Sequence, residues 1–446
     1  MSEAVLLPGT ARALELAARL VQSETRQPSL VAGVVRDGRL AWSTAVGEST
    51  GGRASPGPDL AYRIGSLTKT VTAVLVLQAR DEGLLDLGDR LGKVLGSDAP
   101  FAGARLYDLL AHAAGLPAEP AGDWWERASG GDFRDLAGRV ATQQPVLPPE
   151  QRHHYSNLAY GLLGRAVEQV RGGAWAKLVR ERVLEPLGMT ATTYAPSDPG
   201  ERSARGYSVH PFSGRLLDEP STDTGAMAPA GQLWSTVRDL ARWSVFLLDG
   251  DDRVLSATSL SQMRTAARGS VDGLETVYGL GLSLHARPGG DRYGHGGSMP
   301  GFLAGLRVDP RQRAAAIALS NGTYGGTPVL PDTLLDVLGE HEPLLPEPWR
   351  PEPVVAGADE IAGEWYWGVV PALVRVQSGM VVLDMGRTGR SSRLVPAGED
   401  RWRGLDTYFA GETLSVERDA SGRVTSLRIA TYALTRRPYE PATEPG

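Results

Sequence analysis

Lys69 stands three residues after Ser66 in the stretch AYRIGSLTKTVTAVLVLQ (61–78), a spacing suited to nucleophilic catalysis. On a helix, residues i and i+3 share a face with their Cβ atoms about 5–6 Å apart, so a hydroxyl and an amine there can meet. A serine becomes a nucleophile when a base takes its proton, and burial can lower the pKa of a lysine until it serves as that base. The N-terminus of such a helix also stabilises developing negative charge. The burial would come from apolar neighbours, namely Val71, Val74, Leu75 and Val76.

Two further stretches carry side chains suited to the same site. In QRHHYSNLAYGLLGRAVE, Tyr155 and Asn157 lie two residues apart before a helical run, so both side chains point the same way if the entry is extended. The alternative is a loop tyrosine followed by Asn157 as a helix N-cap. In DRYGHGGSMPGF, His295 precedes Gly296 and Gly297 in a predicted edge strand, where glycines indicate close approach of another backbone or a ligand. A plain hairpin turn is the alternative there.

Hydrophobic periodicity predicts the elements that would hold these residues. The run 67–80 lacks strict alternation and is too long for a typical strand, which predicts a largely buried helix that begins near Ser66. The run 29–47 predicts a hairpin with its turn at Asp37-Gly38. Strands at both ends with helices between them predict an α+β domain whose terminal strands pair in one sheet. Further helices are predicted near 10–25, 105–113, 157–171, 174–184 and 236–248, and strands at 278–286, 302–308 and 314–320.

The pattern changes after residue 341. The segment EPLLPEPWRPEPVV (342–355) contains five prolines, which exclude a helix or a central strand and predict a semi-rigid linker. Beyond it, β-rich runs between turn signals predict a small antiparallel barrel or sandwich. The predicted domains are 1–341 and 359–440, joined by a linker over 342–358. The aromatic residues of the tail are predicted to form core and not a ligand cage, and they are Trp365, Tyr366, Trp367, Trp402 and Tyr408.

Composition excludes several classes of function. The 446-residue chain has a net charge of −6 and no basic stripe, which argues against a nucleic-acid partner. The sequence contains no run of about 18 apolar residues, so no membrane span is predicted. The N-terminus lacks the pattern of a secretory signal, and we therefore expect a cytoplasmic protein. The absence of cysteine excludes disulfides and thiolate chemistry. His153 and His154 are adjacent and diverge, and no H-E-x-x-H occurs, so neither a metal nor a cofactor is expected.

Three motifs in this order resemble the serine β-lactamase and penicillin-binding-protein superfamily, in its class C-like branch of esterases, D-amino-acid peptidases and carboxypeptidases. The resemblance covers the first 340 residues and implies the β-lactamase-like fold, an antiparallel sheet flanked by helices plus an all-helical subdomain. The tail is similar to the small lipocalin-like barrels of some relatives. The motifs are Ser66-Leu-Thr-Lys69, Tyr155-Ser-Asn157 and His295-Gly-Gly297, supported by the stretches 106–117 (LYDLLAHAAGLP), 181–194 and 229–243.

The resemblance implies a role for each residue. Ser66 would be the acylated nucleophile, and Lys69 either its immediate base or the cation that keeps Tyr155 ionised. Tyr155 would carry protons to the leaving group and later activate water. Asn157 would hold Lys69 and the substrate amide, and the oxyanion hole would consist of the backbone N–H groups of Ser66 and Ser298. Which of Lys69 and Tyr155 is the immediate base stays open at this point.

Histidine at position 295 departs from the family pattern. Many family members have a lysine there, a permanent cation that can pair with a substrate carboxylate. Histidine has an ordinary pKa near 6.5 and is mostly neutral at pH 7. His295, with Gly296 and Gly297 beside the substrate, therefore favours esters or amides that lack a carboxylate. A dedicated β-lactamase or a cell-wall carboxypeptidase is the less favoured interpretation.

The predicted activity is hydrolysis of an ester or amide, including D-amino-acid-containing peptides, through an acyl-enzyme on Ser66. The substrate would be a small molecule or a peptide, and the oligomeric state stays open. One alternative is an acyltransferase or a penicillin-binding-protein-type peptide cyclase, in which an amine captures the same acyl-enzyme. A second is a non-catalytic binding protein, against which the retained Ser66, Lys69, Tyr155 and His295 argue. An α/β-hydrolase is set aside because Gly296-Gly-Ser298-Met-Pro300 fails the G-x-S-x-G pattern.

Overall fold

The chain forms two compact units, Met1–Leu344 and Leu345–Gly446, each with its own apolar core. The domain boundaries drawn from the sequence stay predictions, and part of the predicted linker lies outside the described residues. The structure, a computed structural model, describes residues 6–48, 55–150, 152–196, 198, 201–267, 276–287, 290–345, 348, 350–351 and 355–440.

The first unit combines helices with short and long strands. Its strands are β1 (Ser29–Arg36), β2 (Arg39–Gly47), β3 (Tyr62–Arg63), β4 (Tyr207–Val209), β5 (Leu216–Asp218), β6 (Trp234–Ser235), β7 (Thr276–Tyr278), β8 (Ser283–His285), β9 (Arg292–Met299), β10 (Phe302–Asp309) and β11 (Ala314–Ser320). Its helices are α1 (Pro8–Glu24), α2 (Thr68–Asp81), α3 (Leu91–Leu95), α4 (Leu106–Leu110), α5 (Phe133–Val140), α6 (Asn157–Arg171), α7 (Trp175–Val179), α8 (Ala228–Gly231), α9 (Val237–Asp249), α10 (Ala257–Met263) and α11 (Leu330–His341). Single tighter or wider turns occur at Gly65–Leu67, Arg180–Leu184 and Gly225–Met227.

Seven strands form one antiparallel sheet in the order β2-β1-β11-β10-β9-β8-β7. The first and last parts of the unit therefore meet in one sheet through β1 and β11, as the sequence predicts. Alternate residues of a strand point to opposite faces. Leu30 and Val34 accordingly pack in the core with α1 and α11, whereas Val31 and Val35 belong to the core on the opposite face, with α9 and α2.

Helix α2 is the central element of the helical side. Its residues from Thr68 to Ala79 are all buried, so it has no polar face. Such a helix shows no amphipathic stripe in its sequence and is recognised by its length and lack of alternation. The prediction of a buried helix over 67–80 is confirmed, and the turn that precedes it contains Ser66.

Two expectations about the strands near the site are wrong. The predicted strand 278–286 is a hairpin of two short strands, β7 and β8, because the chain turns at Gly281 with φ of 82°. A Cβ at Gly281 would lie 2.4 Å from Cβ of Ala73, so the turn packs directly against α2. Strand β9 is not an edge strand, because this hairpin extends the sheet beyond it.

The second unit contains a closed eight-stranded antiparallel barrel, which confirms the predicted small β-barrel. Trp365 and Trp402 are buried in its core, as expected, whereas Tyr408 is exposed. Across the described ranges of both units, no helix combines the length and the apolar character that crossing a bilayer requires. The barrel consists of β12 (Gly363–Trp367), β13 (Val370–Gln377), β14 (Met380–Asp384), β15 (Ser391–Pro396), β16 (Arg401–Gly404), β17 (Thr413–Arg418), β18 (Val424–Ile429) and β19 (Tyr432–Thr435), after the short helix α12 (Ala358–Ile361).

Candidate active site

Ser66 lies in the turn Gly65–Leu67, which leads directly into α2. Gly65 has φ of 52°, in the left-handed region that favours glycine. A Cβ at this position would lie 2.6 Å from the backbone nitrogen of Ser298, so only glycine lets β9 come this close. The turn therefore holds Ser66 between the N-terminus of a buried helix and the strand that carries the third motif.

The amine of Lys69 is held by three oxygen atoms. Its Nζ lies 2.9 Å from Oγ of Ser66, and it donates to Oδ1 of Asn157 at 2.7 Å and to the backbone oxygen of Ala230 at 2.7 Å. The side chain is fully buried. The first two motifs thus meet at one nitrogen atom, as the sequence predicts for Ser66 and Lys69 from helical spacing alone.

Burial lowers the pKa of Lys69 from 10.5 to about 7, although the carboxylates of Glu119 and Glu126 oppose this change. A neutral amine has two N–H groups and one lone pair. The oxygens of Asn157 and Ala230 are carbonyl oxygens that only accept, so they retain the two N–H groups. The lone pair is then directed at the Ser66 hydroxyl, which is the arrangement that a general base requires.

Asn157 is held in place by a carboxylate behind it. Its Nδ2 donates to Oε1 of Glu119 at 2.7 Å, while Oε2 of Glu119 accepts from Nε1 of Trp125 at 2.6 Å. This pair of contacts turns the amide oxygen of Asn157 toward Lys69. The alternative in which Asn157 caps α6 is wrong, because Ser156 is the N-cap and accepts from the backbone of Ala159.

Tyr155 directly precedes this cap residue, which is extended, and the Tyr155 ring centroid lies 5.0 Å from Nζ of Lys69. Burial raises the pKa of the Tyr155 hydroxyl, and its hydrogen bond to Ser66 opposes the rise only partly. The phenol is therefore neutral at physiological pH. Because burial favours the neutral form of both groups, the electrostatics favour Lys69 over a tyrosinate as the proton acceptor.

Both ring nitrogens of His295 are engaged within the protein. Nδ1 contacts the backbone oxygen of Gly296, which can only accept, and Nε2 lies 2.7 Å from the hydroxyl of Tyr278. Burial lowers the pKa of His295 to about 3, so the ring is neutral, with its proton on Nδ1 and the Tyr278 hydroxyl donating to Nε2. The residue that stands at the family's lysine position therefore carries no positive charge here.

The glycines after His295 let β9 pass against the segment that precedes Ser66. A Cβ at Gly297 would lie 2.0 Å from the backbone oxygen of Ile64, whereas one at Gly296 would meet nothing closer than Cβ of Pro328 at 3.6 Å. The close approach predicted from the glycines is thus a contact between two backbones. It brings Ser298, which is exposed, beside the Gly65–Leu67 turn.

Replacing Gly297 by alanine is expected to lower the free energy of unfolding by about 2 kcal/mol, because the new methyl group overlaps the Ile64 carbonyl. Turnover should fall with it, since the displaced strand carries the Ser298 backbone away from Ser66. Urea unfolding followed by tryptophan fluorescence measures the loss. Gly296→Ala is the matched control for stability, and an equal loss in both variants would show that the Ile64 contact is not the cause.

Three residues of the site were not predicted from the sequence, and they are Glu119, Ala230 and Tyr278. The Ala230 contact is made by a main-chain oxygen, which no side-chain motif reveals. Glu119 follows the GLP of the stretch 106–117 by two residues, and Tyr278 lies within a segment read only as a strand. Glu119 reaches the site because its loop runs beside Asn157, whose backbone N–H donates to the oxygen of Ala118.

Residues 15–340 match the family described as Beta-lactamase, and residues 354–436 match a domain family of unknown function, DUF7586. Penicillin-binding protein 4 of Amycolatopsis lactamdurans is 30% identical over 334 residues, 69% of this chain and 84% of that protein. The chain belongs to the beta-lactamase family. As a member of this family it is a serine hydrolase. Beta-lactamase-like protein 2 of Dictyostelium discoideum is 30% identical over 271 residues. The aligned part of our chain spans only 48% of that protein.

Solved structures share the fold of this family member. The octameric penicillin-binding protein homologue from Pyrococcus abyssi aligns with a TM-score of 0.67 and 22% identity over 95% of this chain and 99% of that one. SurE aligns with a TM-score of 0.61 and 25% identity over 96% and 99%. A D-stereospecific amidohydrolase from Streptomyces sp. aligns with a TM-score of 0.62 and 26% identity, over 74% of this chain and 98% of that one. The first two alignments therefore extend over both units of the beta-lactamase family member.

Proposed function

We propose that the protein hydrolyses an ester or an amide through an acyl-enzyme on Ser66. The observation that carries this proposal is the position of Lys69, whose amine contacts the Ser66 hydroxyl while two carbonyl oxygens hold its N–H groups. A buried amine with a lowered pKa, directed at a serine, activates that serine as a nucleophile.

In the first half-reaction, Lys69 takes the hydroxyl proton as Oγ of Ser66 forms a bond to the substrate carbonyl carbon. The negative charge that develops on the carbonyl oxygen would be stabilised by the backbone N–H groups of Ser66 and Ser298. Tyr155, hydrogen-bonded to Ser66, donates its hydroxyl proton to the leaving alcohol or amine as the carbonyl–heteroatom bond breaks, and the proton that Lys69 took then replaces it. In the second half-reaction the same groups deprotonate a water molecule, which cleaves the acyl-enzyme and restores Ser66.

The charges around the site favour a substrate without a carboxylate near the reacting bond. His295 is neutral, and the carboxylates of Glu119 and Glu126 lie close enough to raise the pKa of Lys69. These groups would attract an ammonium and repel an anion. The relatives support an amide or ester of a D-amino acid, because one is a D-stereospecific amidohydrolase and SurE has also been solved with D-Leu.

Acyl transfer to an amine, including cyclisation of a peptide, is the second candidate. The chemistry up to the acyl-enzyme is the same, and only the group that attacks it differs. The observation in its favour is the acidic surroundings of Lys69, where the charges of Glu119 and Glu126 would attract the ammonium form of an amine acceptor.

The pH dependence follows from Lys69. Its pKa is lowered to about 7, and only the neutral amine can accept the serine proton. We expect kcat/KM for a neutral ester to rise with pH, about tenfold per pH unit below 7, and to level off above it. Stopped-flow rates between pH 5 and 9, corrected for spontaneous hydrolysis, measure this profile. A rate that stays constant from pH 5 upward would contradict Lys69 as the base.

The intact-protein mass after brief exposure to a short-chain p-nitrophenyl ester tests the proposal directly. We expect an increase equal to one acyl group, located by peptide mapping on the peptide that contains Ser66. If an added D-amino acid amide shortens the adduct's lifetime and yields the N-acylated amide, transfer is the better description. A folded Ser66→Ala protein that releases nitrophenol at the parent rate would exclude both candidates.

A further inference from the structure

His112 is a buried residue of the stretch LYDLLAHAAGLP that the chemistry above does not use. It follows α4 and has φ of 55°, in the left-handed region that few residues other than glycine adopt. A positive φ costs free energy at a residue that has a side chain, so the contacts around His112 must hold it in this conformation. Such residues are concentrated at functional sites.

Two acceptor atoms of His112 hold the residues on either side of Tyr155. The backbone oxygen of His112 accepts from the backbone nitrogen of His154 at 2.8 Å. Its Nδ1 accepts from the backbone nitrogen of Ser156 at 3.1 Å. The main chain on both sides of Tyr155 is therefore attached to a single residue of another loop.

The imidazole of His112 also packs on the Tyr155 ring. The two ring centroids are 4.3 Å apart with an angle of 34° between the planes. On other sides His112 contacts the rings of Tyr278, with centroids 4.6 Å apart, and Tyr160, at 5.1 Å. His112 is thus the layer between Tyr155 and the aromatic core, and it limits how the phenol can tilt.

The hydrogen bond to Ser156 requires a neutral imidazole, because a histidinium ring has no acceptor nitrogen. Burial lowers the pKa of His112 well below its ordinary range, which keeps the ring neutral. Nδ1 is then the acceptor and Nε2 carries the proton. A phenylalanine could reproduce the packing against Tyr155 but not the acceptor, and an asparagine could reproduce the acceptor but not the ring.

We propose that His112 is a positioning residue for Tyr155. His112 fixes the phenol by binding the backbone of His154 and Ser156 and by packing on the Tyr155 ring. It touches neither the substrate nor the reacting atoms. This inference rests on the proposed role of Tyr155 in proton transfer. Its expected signature is a loss of kcat with little change in KM, since the backbone and the phenol are displaced but the substrate contacts are not.

The test uses the full chain and p-nitroacetanilide, whose leaving amine must be protonated, and the release of p-nitroaniline on acylation of Ser66 is followed by absorbance. We expect His112→Phe to acylate about 10- to 100-fold more slowly with KM within about threefold. His112→Asn, which keeps an acceptor for Ser156, should lose less. His153→Phe is the matched control, because His153 is half-buried and packs edge-on against His112 at 5.7 Å; its rate should stay within about threefold of the parent.

A double-mutant cycle with Tyr155→Phe separates positioning from a general effect on folding. If His112 acts through Tyr155, adding His112→Phe to Tyr155→Phe should slow acylation less than about threefold further. An undiminished loss in the double variant, or a folded His112→Phe protein with the parent rate, would overturn the inference. Should His112→Phe not fold, His112→Asn is taken through the same cycle. If Tyr155→Phe alone acylates at the parent rate, the proposed role of Tyr155 in proton transfer fails instead, and the two failures are therefore distinguishable.

Discussion

Replacing Ser66 by alanine is expected to lower ester hydrolysis by at least about 10⁴-fold while the fold persists. The change removes the atom that the proposed reaction acylates, and the hydrogen bonds that Lys69 keeps are to two carbonyl oxygens, which cannot be acylated. The Ser66 side chain is small and partly exposed in a first-turn position, so little packing is lost.

The measurement is the steady-state rate with a p-nitrophenyl ester, together with the unfolding midpoint. Ser261→Ala, which changes an exposed serine on α10, is the matched control and should have the parent rate. Turnover that persists in a folded Ser66→Ala protein would end the acyl-enzyme proposal. It would leave the beta-lactamase family fold in place without an assigned nucleophile.

Lys69→Arg is expected to be inactive although it conserves a positive charge. A guanidinium does not lose its proton in a protein, so it cannot act as a general base. Its planar fork also cannot place one lone pair toward Ser66 and two N–H groups toward the oxygens of Asn157 and Ala230, as an amine does. We expect a loss of at least about 10³-fold in kcat/KM.

The chain supplies its own controls for this substitution, because Lys93 and Lys177 are its only other lysines. Lys93 is exposed and pairs with Asp89, so Lys93→Arg should leave the rate unchanged, as should Lys177→Arg. The assay is kcat/KM across pH 6 to 10. Activity of Lys69→Arg within a few-fold of the parent would transfer the role of base to Tyr155 alone.

Much of this site was predictable because its chemistry follows from local spacing. Lys69 lies in the first turn of α2 and Ser66 in the turn that leads into it, and the i, i+3 relation alone brings their side chains together. The hairpin of β1 and β2 and the buried helix α2 follow from periodicity for the same reason. The prediction of a single strand over 278–286 was wrong because the turn at Gly281 depends on packing against Ala73 of α2. Ala73 is about 200 residues away in the sequence.

The sequence by itself predicted Ser66 as the nucleophile, left its base open between Lys69 and Tyr155, and determined the family resemblance and the succession of a catalytic unit and a β-barrel. Only the tertiary structure decided the state of these groups. The pKa of Lys69 depends on complete burial, and the neutrality of His295 depends on Tyr278 and the Gly296 carbonyl. The hydrogen bonds of His112 to the backbone on both sides of Tyr155 likewise join two loops. Burial and hydrogen bonding between distant segments arise only when the chain folds, whereas spacing within one helix is already present in the sequence.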